Sequence, residues 1–274
     1  MTRTIARLGG LVSLVGLAAC TFQGGGLAPF TPTPTAPAET DLEVPYVTTP
    51  RPVVAAMLDM AAVGPDDYLI DLGSGDGRIA IMAAQRGARA LGVDLDPQRV
   101  SQAAAAAAFA QVQDRARFRR QDLFATPLLD ADVVTLYLLP EVNLRLRPRL
   151  LTELRPGARV VSHNFTMGDW RPDESRELGS SRIHLWIVPA PAEGRWAMEG
   201  VATGLLRLEQ RFQELSGSLE GRPLRDVTLR GRQLTFTVDL PGETRTFRAI
   251  VGDAEMVPDP DAGEAAAWRA RRVG

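Results

Sequence analysis

Short apolar segments alternate with amphipathic ones through the first two thirds of the chain. The apolar segments predict five strands, at Tyr68–Leu72, Ala90–Asp94, Ala116–Gln121, Val133–Leu138 and Arg159–Phe165. Helical spacing of apolar residues predicts helices at 52–63, 78–86, 98–113 and 141–154. Strands that alternate with helices indicate an α/β fold whose doubly wound, mostly parallel sheet carries helices on both faces and binds ligands where its strands end.

A different pattern begins near residue 195. In the segment Leu234-Thr-Phe-Thr-Val-Asp-Leu240, apolar and polar residues alternate, and Pro241-Gly242 marks a turn before a second such segment at 246–251. The stretches 204–213 and 227–229 fit the same pattern, whereas 183–189 is expected to complete the parallel domain. This pattern predicts a small antiparallel β module that either docks a substrate or stabilises the fold.

The first twenty residues have the features of an export signal. Arg3 and Arg7 precede an apolar run at 8–19, and Leu17-Ala18-Ala19-Cys20 resembles the processing box of a bacterial lipoprotein. The run is shorter than the roughly 20 residues that span a bilayer. We therefore expect cleavage before Cys20, lipid attachment to Cys20, and a membrane-anchored protein that faces outside the cytoplasm. The alternatives are a buried thiol in an N-terminal helix and a mis-assigned start, the latter implying a cytoplasmic protein.

Composition sets the remaining domain boundaries. Residues 21–43 are dense in Pro, Gly and Thr without apolar periodicity, which is typical of a flexible tether. The predicted organisation is therefore a signal segment at 1–20, a tether at 21–43, an α/β domain at 44–190, and a β module with a flexible tail at 191–274.

Charge and residue counts exclude several functions. The 31 basic and 33 acidic residues give a net charge of -2, so we expect no nucleic-acid partner. Every basic residue is arginine, and the absence of lysine excludes Walker-type phosphate loops and Schiff-base chemistry. One cysteine and two histidines provide neither a disulfide nor a common zinc site, so no metal is expected.

The first predicted strand runs into a glycine-rich turn. In the run Asp71-Leu-Gly-Ser-Gly-Asp-Gly-Arg78, Gly73, Ser74, Gly75 and Gly77 connect this strand to a helix, so a ligand can approach the backbone closely. The spacing is G-x-G-x-G, unlike the G-x-G-x-x-G of dinucleotide folds. A carboxylate at this position suits a ligand that bears an ammonium or sulfonium group better than a pyrophosphate.

Acidic residues also end the next two predicted strands. Asp94 follows Asp71 by 23 residues, the spacing at which a carboxylate accepts hydrogen bonds from ribose hydroxyls. Gln121-Asp122-Leu123-Phe124 closes the third strand. These acids form one binding edge, unless Asp71 and Asp94 only cap helices and the glycines only make a turn.

The three runs DLGSGDGR, GVDLDP and QDLF together resemble the class I S-adenosylmethionine-dependent methyltransferases, which have a seven-stranded Rossmann-like sheet. The resemblance implies S-adenosyl-L-methionine as the cofactor. It places Asp71 and the Gly73–Gly77 loop, with Ser74, around the methionine part. Asp94 would bind the ribose, and Asp122 with Leu123 the adenine.

Residues 130–173 carry a closer resemblance. They resemble a bacterial branch related to the mitochondrial ATP synthase c-subunit lysine methyltransferase family, and the similarity covers roughly 44–189, including Val44-Pro45-Tyr46-Val47. It implies N-methylation of an accessible lysine in a partner protein. A ligand-binding lipoprotein without activity and a small-molecule methyltransferase are the alternatives.

The expected acceptor site follows the fourth and fifth strands. Tyr137 and His163 are the candidates for catalytic roles, and the neighbouring candidates for its lining are Leu138, Pro140, Asn164 and Trp170. Tyr137 and His163 could instead be structural, and Trp170 a lid or packing residue. Tyr46 is expected to close over the cofactor.

Overall fold

Four helices and seven strands form the first part of the computed structural model, which describes residues 47–262 and 268–273. The helices are α1 (Arg51–Met60), α2 (Arg78–Gln85), α3 (Pro97–Phe109) and α4 (Pro140–Glu153). The strands are β1 (Tyr68–Leu72), β2 (Arg89–Asp94), β3 (Ala116–Arg120), β4 (Val133–Leu136), β5 (Arg159–His163), β6 (Glu174–Leu178) and β7 (Ser181–Ile187).

These seven strands form one twisted sheet in the order β3-β2-β1-β4-β5-β7-β6. Strands β1 to β5 are parallel to one another, and β7 runs antiparallel to both β5 and β6. The predicted doubly wound, mostly parallel sheet is therefore confirmed. The strand order reverses between β1 and β4, where folds of this type bind their ligands at the carboxyl ends of the strands.

Both faces of the sheet are buried, which is why its central strands are nearly continuous apolar runs. On one face α1 and α2 pack over Leu69 and Val161, and on the other α4 packs over Ile70 and Trp186. Close packing also explains why residue 77, in the loop between β1 and α2, is a glycine. A Cβ atom at Gly77 would lie 2.6 Å from the Phe118 ring.

The predicted elements differ from the observed ones mainly at their ends. Helix α3 ends at Phe109, before Gln111 takes a positive φ of 58°, and β5 ends at His163 because Asn164 takes a φ of 63°. The segment predicted at 183–189 is the antiparallel strand β7. Strand β6 has no apolar residue before Leu178 and every residue exposed, so it shows no periodic pattern that could predict it.

The C-terminal part forms a separate antiparallel sheet of nine strands within the described residues. They are β8 (Gly194–Gly200), β9 (Gly204–Arg211), β10 (Glu214–Leu219), β11 (Arg222–Pro223), β12 (Arg225–Arg230), β13 (Gln233–Leu240), β14 (Glu243–Val251), β15 (Glu255–Pro258) and β16 (Trp268–Arg272). The edge strands β11 and β12 are joined only by Leu224, so the sheet curls around its own core. It is thus larger than the small module that the sequence predicts.

The two sheets contact each other within one compact unit that contains all the described residues. The predicted boundary at 190 lies between β7 and β8, where the Ala190 amide donates to the carbonyl of Gly231 at 2.8 Å. No helix in the described part of the chain is long and apolar enough to cross a membrane.

Candidate active site

A cavity of about 300 Å³ opens at the carboxyl ends of β1, β2 and β4, where the strand order reverses. The loop after β1 and the end of β2 form one side of it, and the residues between β4 and α4 form another. Its lining residues are Val47, Thr48, Thr49, Asp71, Gly73, Ser74, Gly75, Asp76, Arg78, Ile79, Asp94, Leu95, Asp96, Arg99, Tyr137, Leu138, Leu139 and Val142.

The glycine loop is shaped by backbone conformations that favour glycine. Gly73 and Gly75 have φ angles of 80° and 52°, and the amides of Gly73 and Ser74 both donate to the carbonyl of Val93 at 2.9 Å. A Cβ atom at Gly73 would lie 2.9 Å from Leu138. The loop therefore stays close to β2 and to Leu138, and Gly73, Ser74 and Gly75 line the cavity.

Asp71 is a buried carboxyl group with one satisfied oxygen. Its Oδ1 atom accepts a hydrogen bond of 2.7 Å from Thr135 Oγ1, whereas Oδ2 has no hydrogen-bond partner among the described residues. Burial raises the pKa of Asp71 to about 7, although the Thr135 hydroxyl opposes this shift. A buried carboxyl group with a free oxygen at the cavity is suited to a cationic group of a ligand.

Asp94 is held in place by backbone amides. Its Oδ2 atom accepts from the Gly75 amide at 2.9 Å and its Oδ1 atom from the Asp96 amide at 3.0 Å. Asp96, rather than Asp94, caps α3, and Gly77 is the N-cap of α2. The alternative that Asp71 and Asp94 serve only as helix caps therefore does not account for their positions.

The segment before α1 forms one wall of the cavity and is tied down from two sides. Thr49 Oγ1 lies 3.1 Å from His163 Nδ1, and the Thr49 carbonyl accepts from Arg78 Nη1 at 2.8 Å. Arg78 is also paired with Asp76. Tyr46, which is predicted to close over the cofactor, lies outside the described residues, as does Cys20.

His163 lies behind the cavity and is not among its lining residues. It is 2% exposed, its ring lies 4.1 Å from that of Tyr137, and its Nε2 atom has no hydrogen-bond partner in the described part of the chain. Burial lowers the pKa of His163 to about 4, so the ring is neutral near pH 7. These features suit a group that positions Thr49 and Tyr137.

The side of the cavity formed by the β4–α4 connection is mainly apolar. Tyr137, Leu138, Leu139 and Val142 line it, and the Tyr137 ring stacks on Phe165 with 6.1 Å between the ring centroids. Pro140 begins α4 and is exposed. This surface is suited to a substrate group that has lost its water and its charge.

Several predicted site residues lie outside the cavity lining. Asp122 is exposed and caps the short 3-10 turn Leu123–Ala125, while Leu123 packs against the core on the α4 face. Asn164 accepts from the Arg182 amide, and Trp170 is fully buried, so it packs rather than forming an exposed lid.

Sequence reasoning missed two residues that shape the site. Thr135 is the one polar residue of the β4 segment Val133–Leu136, and a hydroxyl in a buried strand signals a buried partner, here Asp71. Thr49 carries no comparable signal, because its partner His163 is 114 residues away in the chain.

Thr49→Val tests the role of the Thr49–His163 hydrogen bond. The change keeps the shape of the side chain but leaves His163 Nδ1 without its partner, so we expect the free energy of unfolding to fall by about 1 kcal/mol. We also expect the affinity for a ligand of the cavity to fall by roughly 5-fold, because the wall loosens. Calorimetric titration and thermal unfolding measure the two effects. Thr228→Val, at an exposed threonine outside the cavity lining, is the matched control, and equal losses in both variants would contradict the assigned role.

The donor set indicates which ligand fits the cavity. Asp71 presents a free buried oxygen, the glycine loop presents backbone, and Asp94 presents a fixed carboxylate at the end of the neighbouring strand. A ligand with a cationic group at one end and a ribose at the other fits this set. No cluster of three or more potential metal-ligating His, Cys, Asp or Glu side chains occurs among the residues described.

Comparisons with known proteins identify related methyltransferases. Residues 71–174 match the ANTKMT methyltransferase domain. The chain is 44% identical to a protein-lysine N-methyltransferase of Saccharolobus islandicus, covering 53% of this chain and 94% of that protein. It is 36% identical to the ATP synthase c-subunit lysine N-methyltransferase of Mus musculus, covering 44% of this chain and 49% of that protein.

A solved structure extends the agreement to the fold. The RNA methyltransferase of Salinibacter ruber, crystallised with S-adenosyl-L-homocysteine, is 48% identical with a TM-score of 0.52, covering 54% of this chain and 98% of that one. The resemblance drawn from the sequence motifs and the S-adenosylmethionine cofactor are thus confirmed. The chain therefore belongs to the class I S-adenosylmethionine-dependent methyltransferases, in the family that includes the protein-lysine N-methyltransferase of Saccharolobus islandicus.

Proposed function

We propose that the chain methylates the side-chain amine of a lysine in a partner protein. The observation that carries this proposal is the buried Asp71 carboxyl with its free Oδ2 atom, which lies in one cavity with Asp94 and the apolar Tyr137–Val142 side. The carboxylates suit the cationic cofactor, whereas the apolar side suits a neutral amine. The relatives named as protein-lysine and ATP synthase c-subunit lysine methyltransferases support the same acceptor.

The cofactor is assigned to the carboxylate side of the cavity. Asp71 binds the amine of its methionine part, the backbone of Gly73 and Gly75 approaches it, and Asp94 accepts hydrogen bonds from the ribose. Asp122 and Leu123 are assigned to the adenine. The Gln121 amide donates to the Asp94 carbonyl at 3.0 Å. This hydrogen bond keeps the turn that contains Asp122 and Leu123 beside Asp94, whose carboxylate is assigned to the ribose.

The chain's own contribution to the reaction is to orient the acceptor and to remove water. S-adenosylmethionine, when bound, supplies an electrophilic methyl group, which leaves the sulfonium sulfur for the nitrogen lone pair of the acceptor. Tyr137, Leu138 and Val142 provide an apolar surface that favours the neutral, nucleophilic form of the lysine amine. His163 stays neutral and supports the Tyr137 ring from behind. Alignment of the reacting atoms accounts for most of the catalysis in this scheme.

The acceptor is tested with methyl-labelled S-adenosylmethionine and a bacterial extract, followed by mass-spectrometric mapping of the label. The chain contains no lysine, so any methyl-lysine side chain that carries label comes from a partner protein. We expect label on lysine Nζ, resistant to ribonuclease and lost in Asp94→Ala. Label that ribonuclease removes, or that stays on small molecules, would instead assign another acceptor.

We also propose that the protein is anchored to a membrane through a lipid on Cys20 and faces outside the cytoplasm. The short apolar run at 8–19, the Leu17-Ala-Ala-Cys20 box and the tether at 21–43 support this location. Labelled palmitate is expected to enter the full chain but not Cys20→Ser, and Ser13→Ala provides a control within the same segment. Equal labelling of wild type and Cys20→Ser would contradict the anchor.

A further inference from the structure

The turn between β9 and β10 contacts the loop that follows β5. This loop, residues 164–173, connects the end of β5 to β6 and is called the acceptor loop below. The β9–β10 turn consists of Phe212 and Gln213, and Phe212 has a φ of 58°. The contact joins the C-terminal sheet to the side of the site where the acceptor is proposed to bind.

Gln213 makes two hydrogen bonds to the acceptor loop. Its Oε1 atom accepts from Trp170 Nε1 at 2.9 Å, and its Nε2 atom donates to the carbonyl of Arg171 at 2.7 Å. Trp170 is fully buried, stacks on Phe212 at 6.1 Å, and accepts at its carbonyl from Trp186 Nε1 at 2.9 Å. The β9–β10 turn of the C-terminal sheet thereby provides the hydrogen-bond acceptor for Trp170 Nε1 in the acceptor loop.

A second connection runs through Asp169. This carboxylate pairs with Arg147 of α4 and with Arg211 of β9, the latter at 2.5 Å. Arg147 also donates to the Met167 carbonyl at 2.8 Å and lies over the Phe212 ring at 5.4 Å. The acceptor loop is therefore fixed between α4 and the β9–β10 turn.

The same loop reaches the cavity at its other end. Phe165 stacks on Tyr137, which lines the cavity, and α4 contributes Val142 to the lining. Phe165 and Trp170 belong to the same short loop, five residues apart in the sequence. A shift of the loop at Trp170 would therefore change the support of Tyr137.

We propose that Phe212 and Gln213 are positioning residues for methyl transfer, and that the C-terminal sheet holds the acceptor loop in the conformation that supports Tyr137. This inference rests on the proposed function, because it concerns the acceptor side of that site. It gives the C-terminal sheet a role in the reaction without a contact to the substrate. The cofactor side, which is built from β1 and β2, does not depend on it.

Gln213→Leu in the full chain tests this role. The change keeps most of the side-chain volume but removes both hydrogen bonds to the acceptor loop. We expect kcat/KM for the protein acceptor to fall about 10- to 100-fold, because a small misplacement of a supporting element is enough for such a loss. We expect the Kd for S-adenosylhomocysteine to stay within about 2-fold of wild type, because the cofactor side is unchanged. Gln213→Glu keeps the acceptor for Trp170 Nε1 and should recover part of the activity.

Arg225→Ala is the matched control, because it removes an exposed ion pair with Asp239 on β12 and β13 of the same sheet. It should leave kcat/KM unchanged. Hydrogen exchange provides a measurement that needs no acceptor: Gln213→Leu should speed exchange of the amides at 165–170 and leave those of β1 and β2 unchanged.

The outcomes separate the two proposals. Normal kcat/KM and normal exchange at 165–170 in Gln213→Leu would overturn the positioning role. Equal losses in cofactor binding and methyl transfer would also overturn it, because they indicate a general structural defect. A wild-type chain that methylates no lysine would refute the proposed function alone, and the exchange measurement would still decide the positioning role.

Discussion

Asp94→Ala is expected to weaken the binding of S-adenosylmethionine about 100-fold, because two hydrogen bonds to a charged group contribute roughly 3 kcal/mol together. The Asp94 carboxylate is held by the amides of Gly75 and Asp96, so it is oriented before the ligand arrives. Its loss also leaves the Gly75 amide without an acceptor and loosens the glycine loop. Calorimetric titration with S-adenosylmethionine measures the effect directly.

Asp114→Ala is the matched control for this prediction. Asp114 is an exposed aspartate that lies outside the cavity lining, so the same substitution there should leave the affinity unchanged. An Asp94→Ala chain that binds as tightly as wild type would contradict the assignment of the ribose to Asp94. Similar losses in both variants would point to an effect of net charge instead.

Cofactor binding is expected to weaken about 10-fold or more from about pH 7.5 to about pH 5.5, because Asp71 must be ionised to bind an ammonium group. Burial raises the pKa of Asp71 to about 7, so the carboxylate gains a proton within this range. In Asp71→Asn the affinity should be low throughout and nearly independent of pH. Titrations of both chains at a series of pH values measure the difference.

The same raised pKa determines how stability depends on pH. The folded chain holds the Asp71 proton more tightly than the unfolded chain does, so this residue reduces stability as the pH rises from about 4 to about 7. Above pH 7, the free energy of unfolding of Asp71→Asn should therefore exceed that of wild type by an amount on the order of a few kcal/mol. Asp71→Asn should accordingly unfold at a higher temperature. The two chains should become similar near pH 4.

Thr135→Ala is a control that acts through the same residue. It removes the hydroxyl that donates to Asp71 Oδ1, and this hydrogen bond lowers the pKa. In Thr135→Ala, cofactor binding should therefore begin to weaken at a higher pH than in wild type. A profile that is the same in wild type, Thr135→Ala and Asp71→Asn would contradict the role given to Asp71.

The sequence predicts the cofactor side of the site well, because local rules control it. The glycine loop joins consecutive elements, and positive φ angles at Gly73 and Gly75 leave few alternatives to glycine. Asp71 and Asp94 lie at the carboxyl ends of neighbouring parallel strands, so the sheet brings them to one edge without further information. Strands β1, β2, β4 and β5 are predictable for a similar reason, since burial on both faces requires nearly continuous apolar runs.

The other side of the site depends on contacts between distant parts of the chain. His163 is the last residue of β5 at the same edge, yet its partner Thr49 precedes the first helix. The position of Trp170 in the sequence is compatible with a lid over the site, but the turn at Phe212 and Gln213 keeps it buried. Residue spacing contains no information about such pairs, because they form only when segments that are distant in the chain pack together.

Some strands of the C-terminal sheet also could not be predicted from residue spacing. Segments such as Gln233–Leu240 alternate clearly, although Thr237 is buried on the face expected to be polar, where it bonds to Thr246. Short strands such as Arg222–Pro223 have too few residues to show any period. Their pairing follows from their neighbours in the sheet.

Equilibrium dialysis of the full chain against labelled S-adenosylmethionine tests the central claim most directly, namely that the cavity between Asp71 and Asp94 binds this cofactor. We predict one bound molecule per chain at saturation, displaced by S-adenosylhomocysteine. Absence of bound label at millimolar cofactor, or label that S-adenosylhomocysteine does not displace, would contradict the claim.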